Sequence, residues 1–292
     1  MSKKDTTGQH SKQMTTTNTL ENSTILITGA SDGLGKEAAR MLAARGAHLI
    51  LHGRNPEKTY QVMQTLQAET GNTRIEIILA DFSSLSQVRQ MAAEIQSRYS
   101  RLDVLINNAG LYCPKRLLTE DGFEMTFAVN YLAPFLLTNL LMPLLASSAP
   151  ARITNLSSLA HRLVWLNKND LQGAKFFWGW VAYSQSKLFL ILFSNYLAKQ
   201  IKQSQVTTNA LHPGIIPGTN VLKNSWIKCF STREMGARTI VNLATNPELA
   251  GITGAYFSKF KQVKPNPIAG NIELQEKLWE QSLAWTGLDS QG

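Results

Sequence analysis

Apolar positions follow two periods along this chain. Short continuous runs, "TILITG", "AHLILH" and "RIEIILAD", have the length of strands buried on both faces. Between the first two, Leu34, Ala38, Met41 and Leu42 recur at helical spacing. The rhythm continues through "LDVLINNAG", the long helical "FEMTFAVNYLAPFLLTNLLMPLL", "ARITNLSS", the helix carrying "YSQSK", and "VTTNALHPG". Parallel strands need crossovers, and crossovers are right-handed, so the predicted product is one α/β domain with a doubly wound sheet and helices on both faces. The polar, Thr-rich residues 1–20 read as a disordered tail ahead of a single domain over 21–292. Two stretches break the rhythm near the carboxyl edge of the sheet, about 159–182 and 215–232. Ligand specificity is expected there.

Composition narrows the class. With 292 residues, 43% of them hydrophobic, the chain can bury one sizeable core. "LFLILF" at Leu188–Phe193 is the strongest membrane-like run, too short to span, and reads as a buried helix, so no transmembrane segment is expected. The opening residues lack the apolar centre of a signal peptide. Two cysteines, Cys113 and Cys229, suit a reducing cytoplasm, and the histidines lack ligand partners, so no metal site is expected. The net charge of +9 is scattered rather than blocked and has no interleaved aromatics, which argues against nucleic acid.

"TGASDGLG" sets Gly29, Gly33 and Gly35 between the first strand and the first helix. Missing side chains there let backbone amides approach a pyrophosphate at a helix N-terminus. Asp32 in this turn reads as the helix cap, because a carboxylate facing phosphate would be unhelpful. About twenty residues on, where an NAD site shows an acid, "LHGRN" offers Arg54, whose guanidinium matches a 2′-phosphate. Asp81, ending "RIEIILAD", is placed to accept from an adenine amino group or to cap a helix.

"TGASDGLG", "NNAG" at residues 107–110, "VNY" around Asn130, "NLSS" ending at Ser158 and "YSQSK" occur in one order. Together they resemble the short-chain dehydrogenase/reductase family over roughly residues 22–260, and "VNYLAPFLLTNLL", "RITNLSSLAHR" and "HPG" look most like its retinol dehydrogenase branch. The resemblance implies a seven-stranded Rossmann-like sheet and a catalytic tetrad of Asn130, Ser158, Tyr183 and Lys187. It implies NADP(H) contacts at Gly29, Ser31, Asp32, Gly33, Leu34, Gly35, Arg54, Asp81, Asn108, Tyr183, Lys187 and, by backbone, Ile216.

The Tyr–Lys pair has a chemical reason. A free phenol of pKa ~10 is a poor base, and positions i and i+4 share a helix face. An ammonium about 4 Å from the phenol oxygen, at an effective dielectric near 20, would contribute on the order of 4 kcal/mol, a depression of ~3 units. Ser158 would polarise the substrate oxygen, and Asn130 would anchor a water leading towards Lys187. Taken singly, each is ordinary: a helix pair, a turn serine, a polar residue satisfying backbone. A non-catalytic dinucleotide-binding scaffold would be signalled by a missing tetrad member, and none is missing.

Between Ser158 and Tyr183 the chain spends Leu163, Trp165, Phe176, Phe177, Trp178 and Trp180, which could wall a pocket for a small lipophilic carbonyl or alcohol. Core packing is the alternative use. "IIPGTNVLKNSWIKCF" would be a lid. The threonine that usually follows "HPG" comes one position late, as Thr219. Wide apolar arcs on the "MTFAVNYLAPFLLTNLLMPLL" helix and on the helix after Tyr183 resemble the family's homodimer interface, with burial inside the chain as the other use.

Overall fold

In a computed structural model, which describes residues 19–164, 166–214 and 232–288, the short apolar runs pair into one sheet. Its strands are β1 Thr24–Ile27, β2 His48–Gly53, β3 Ile75–Leu79, β4 Val104–Asn107, β5 Ala151–Leu156, β6 Val206–His212, β7 Tyr256–Ser258 and β8 Lys261–Gln262. They stand in the order β3-β2-β1-β4-β5-β6-β7-β8, parallel throughout except for the β7–β8 hairpin. Seven strands were predicted. The eighth is a two-residue antiparallel edge, too short to leave an apolar pattern in the sequence.

Strand residues alternate between two cores. Ile25, Ile27, Leu49, Leu51, Val104 and Ile106 face one side and pack with α1 Gly33–Ala43, α2 Pro56–Thr70 and α7 Arg233–Thr245. Leu26, Ile50 and Leu105 face the other side, covered by α3 Leu85–Arg98, α5 Ala133–Ser147 and α6 Gly179–Gln200. Local chemistry starts the helices: Asp32, Asn55, Ser84 and Thr232 each accept a first-turn amide of α1, α2, α3 and α7. Leu20 is buried, and its amide donates to Arg45 O at 2.8 Å. The packed body therefore begins inside the stretch predicted as tail.

The long predicted helix is not uniform. A short α4, Met125–Phe127, passes through a π turn at Ala128–Leu132 into α5. Pro134 explains the irregularity, since a regular helix would need residue 134 to donate to the Asn130 carbonyl and proline has no N–H. Over Met125–Ser147 this stretch is long and apolar enough to cross a membrane, unlike the shorter run singled out in the sequence, and 72% of its most apolar window is buried in the fold. The apolar arc of α6 is used within the chain: α8, Ile272–Thr286, lays Trp279 against Phe135 and Phe193, ring centres 5.0 and 6.0 Å away.

Because the chain winds outward in opposite directions from β1 and β4, a crevice opens at their carboxyl ends. The motif residues meet there.

Candidate active site

A cleft of about 810 Å³ runs across that edge. One end is the glycine turn. Gly29 and Gly33 have φ of 65° and 56°, the left-handed region that favours glycine. A β-carbon on Gly35 would lie 2.3 Å from Gly29 O and 2.4 Å from Asn108 Nδ2, so only glycine lets the turn close against β4. Asn108 donates its amide to Thr28 O and Gly29 O at 2.7 and 3.1 Å, so it braces the turn as well as lining the cleft. Asp32 accepts from Gly33 N at 2.7 Å and pairs with Lys58 Nζ at 2.7 Å, and that hydrogen bond holds its carboxyl below the usual range. Ser31 and Leu34 line the same end.

Arg54 leaves the end of β2 with its side chain 70% exposed and meets Asp81 Oδ2 at 3.5 Å. Asp81 also accepts from Ser83 N and Oγ, at 2.9 and 2.8 Å, so it closes a turn while facing the cleft. Arg233, at the start of α7, lines this end too and gave no signal in the sequence.

At the other end stand Ser158, Tyr183 and Lys187. Tyr183 is surrounded by protein but keeps an edge open to the cleft. Tyr112 meets its ring edge-on at 6.2 Å, and Trp180 lies at 6.1 Å. Burial pushes its phenol up to about 12, opposed by a hydrogen bond with Ser158. Lys187 is buried, donates Nζ to Leu156 O at 2.9 Å, lies 5.7 Å from the Tyr183 ring centre, and is pushed down to about 8 by desolvation. The predicted depression of the phenol is therefore not what this structure shows. Desolvation of the phenolate dominates, and the lysine is held by a main-chain carbonyl.

Asn130 faces Lys187 across Gly110, where an added β-carbon would lie 3.2 Å from Lys187 Nζ and 3.3 Å from Asn130 Oδ1. Its side chain is tied to the loop after β4: Oδ1 accepts from Leu111 N at 2.7 Å, and Nδ2 donates to Leu111 O and Ser186 Oγ at 2.9 and 3.0 Å. It clamps the loop after β4. Pro134 deprives the Asn130 main-chain carbonyl of its regular helical donor.

Of the predicted aromatic wall, Leu163 and Trp180 line the cleft. Phe176, Phe177 and Trp178 instead border a separate recess of about 70 Å³, with Phe176 and Trp178 largely exposed. Trp165, Ile216, Thr219 and the predicted lid over 215–230 lie outside the described residues. Sequence reasoning set the histidines aside, yet His52, His161 and His212 each hold a loop of this cleft. His52 is buried, accepts from Gly29 N at 3.2 Å, donates to Ala80 O at 3.0 Å, stacks on Phe82 at 4.2 Å, and is pushed down to about 4 by burial. For His52 and His212 the available signal was their place at the carboxyl ends of the strand runs, in "LHGR" and "LHPG".

The family model for short chain dehydrogenase matches residues 23–228. The chain belongs to the short-chain dehydrogenase family. Among curated members of that family, human retinol dehydrogenase 13 is 39% identical over 289 residues, covering 93% of this chain and 87% of that protein. An uncharacterized protein from Mycobacterium paratuberculosis superposes with a TM-score of 0.77 at 30% identity, over 92% of this chain and 95% of that one. A short chain dehydrogenase from Shigella flexneri, solved in complex with NADP, superposes with a TM-score of 0.69 at 27% identity, covering 84% of this chain and 100% of the other. Membership of this family makes the chain an oxidoreductase.

Proposed function

We propose that this oxidoreductase uses NADP(H) to interconvert an alcohol and a carbonyl on a fairly hydrophobic small molecule, with Tyr183 as the general acid/base. The observation that carries this reading is the meeting of the glycine turn, Arg54, Ser158, Tyr183 and Lys187 along one cleft. The cradle fits a dinucleotide: Gly35 leaves no room for a side chain, and Gly33, opening α1, has nothing within 4 Å of where a β-carbon would be. Gly29, Ser31, Gly33, Leu34 and Gly35 would hold the pyrophosphate, Arg54 the 2′-phosphate, Asp81 the adenine, and Lys187 the nicotinamide ribose.

When bound, the nicotinamide supplies or accepts the hydride. The rest falls to the chain. The Ser158 hydroxyl donates to the substrate oxygen and fixes its distance from the Tyr183 hydroxyl. In the reducing direction Tyr183 gives its proton to the oxygen that has gained charge; a phenol at about 12 is fully protonated at neutral pH and ready for that role. The resulting phenolate is stabilised by the buried Lys187 charge, and the proton is replaced along the Lys187–Asn130 side. Oxidation runs the same transfers backwards.

The half-buried faces of Leu111, Tyr112 and Trp180 beside Tyr183, with exposed Leu159 and Leu163 at the rim, support a lipophilic substrate. The retinol dehydrogenase relative supports the same class by its name. The test is loss of reduced-nicotinamide absorbance across aldehydes and ketones graded by size and polarity, with NADPH and with NADH. Turnover rising with apolar size and favouring NADPH is expected. Preference for small polar carbonyls, or for NADH, would overturn the corresponding part.

A further inference from the structure

We infer that His161 and His212 are positioning residues that grip the two ends of one peptide bond, the Ser158–Leu159 peptide, and thereby aim the Ser158 hydroxyl. This rests on the role given to Ser158 above. His161 Nδ1 lies 2.6 Å from Ser158 O, and His212 Nδ1 lies 3.2 Å from Leu159 N. These are the carbonyl and the amide of the same planar unit.

The surroundings fix which nitrogen carries each proton. Asn266 N donates to His161 Nε2 at 3.2 Å, so that nitrogen is an acceptor and the Nδ1–H is left to donate to Ser158 O. At His212 the Leu159 amide is the donor, so Nδ1 accepts and Nε2 carries the hydrogen. Both rings must be neutral for the grip to hold. Both are buried, which disfavours the charged form, and Arg162 acting on His161, with His161 and Lys259 acting on His212, disfavour it further. Tyr256 packs edge-on against His161 at 4.8 Å.

The grip reaches well beyond the serine turn. Asn266, 105 residues along the chain, also donates Nδ2 to His161 O at 3.2 Å, and Arg162 Nη2 donates to Lys264 O at 2.6 Å. The segment after β8 thus braces the short turn Leu159–Leu163 from outside, while β6 braces it from within through His212. Rotating this peptide would swing the whole serine turn. With both polar ends held, the Ser158 Oγ accepts from Ala160 N at 3.3 Å and lies beside the Tyr183 hydroxyl, whose charged form it favours. It can turn to a substrate without the backbone moving.

Two measurements test the clamp. In steady-state reduction with NADPH, His161→Phe, which keeps a ring but no nitrogen, should lower kcat about 10-fold or more and leave the NADPH Kd within about 2-fold, against the usual 10²–10⁴ contribution of a positioned acid/base system. His161→Asn, which returns an N–H near the Nδ1 position, should recover most of that loss. In a Ser158→Ala background neither substitution should lower turnover further. Equal losses in both backgrounds, or no recovery with Asn, would overturn the assignment. The second readout does not use activity: hydrogen exchange of the Leu159 amide should speed up at least ~10-fold in His212→Phe and stay slow in His212→Asn. Unchanged exchange in His212→Phe would sink the clamp even if Ser158 proves catalytic. Faster exchange with Ser158→Ala fully active would leave the clamp standing and remove Ser158 from the chemistry.

Discussion

Lys187 Nζ donates to the Leu156 carbonyl at 2.9 Å while lying 5.7 Å from the centre of the Tyr183 ring, so the ammonium is tied to the strand β5 rather than to the phenol. The pair is preorganised but not fully engaged. Its phenol sits at about 12 and its amine at about 8, both through desolvation.

Tyr183→Phe should therefore keep the cleft and lose the proton. We expect NADPH binding within a few-fold of the wild type, with kcat reduced by about 10²–10⁴. The wild type carries a second signature. Carbonyl reduction needs the phenol protonated and Lys187 charged, so kcat/KM should be level from neutral pH and fall as pH rises through about 8, where the amine loses its charge. Fluorescence titration and a pH–rate profile check the two parts; a profile still level at pH 10 would contradict the buried-lysine account.

The fold and the site were legible in the sequence to different depths. The strand runs, the glycine turn and the order of the Asn, Ser, Tyr and Lys motifs were readable because period, turn chemistry and i,i+4 spacing are local. β8 was not, since two exposed residues carry no period. The electrostatics of Tyr183 were misjudged because i,i+4 spacing gives proximity but says nothing of the desolvation around both groups or of a competing acceptor such as Leu156 O. The histidines were passed over because their partners are main-chain groups far along the chain: Gly29 for His52, Asn266 for His161 and Leu159 for His212. The aromatic cluster before Tyr183 divided between cleft and surface, a distinction that composition cannot make.

His52 makes acid stability a site property. Its pKa is about 4 in the fold against an ordinary 6.5, so between those values the unfolded chain takes up a proton that the folded chain does not. Stability is present above pH 6.5 and is lost as pH falls towards 4, by up to about 3 kcal/mol for this one group. His52→Asn keeps an acceptor for Gly29 N and removes the titration. Urea unfolding between pH 4.5 and 6.5 should show the pH slope reduced by about one proton, or ~1.4 kcal/mol per pH unit. Identical slopes would show that His52 titrates normally in the folded protein.

Arg54 reaches into solvent beside Asp81, with no buried partner among the described residues to hold it. If it binds the 2′-phosphate, Arg54→Ala removes a charge-assisted contact of about 1.5–3 kcal/mol, roughly 10–150-fold in NADPH affinity. NADH affinity should change by less than about 3-fold, since no phosphate is lost there. Isothermal titration with both cofactors gives the ratio. A parallel fall for NADH and NADPH would mean that Arg54 only supports the loop.

The glycine turn separates two reasons for having glycine. Gly33 needs it for its φ of 56°, but a β-carbon there would meet nothing within 4 Å, so Gly33→Ala should cost about 1–2 kcal/mol of backbone strain and leave the cradle in shape. Gly35 needs it for space: the added carbon would lie 2.3 Å from Gly29 O and 2.4 Å from the Asn108 amide that braces the turn. Gly35→Ala must push the two strands' loops apart, at about 1–3 kcal/mol of overpacking, and it displaces the amides that face the pyrophosphate. Both variants should fold. NADPH affinity should fall at least ~10-fold further in Gly35→Ala than in Gly33→Ala, a difference of ~1.4 kcal/mol or more. Equal losses in fluorescence titrations would show that φ, not the close approach of the Asn108 amide and Gly29 to α1, sets the geometry of the cradle.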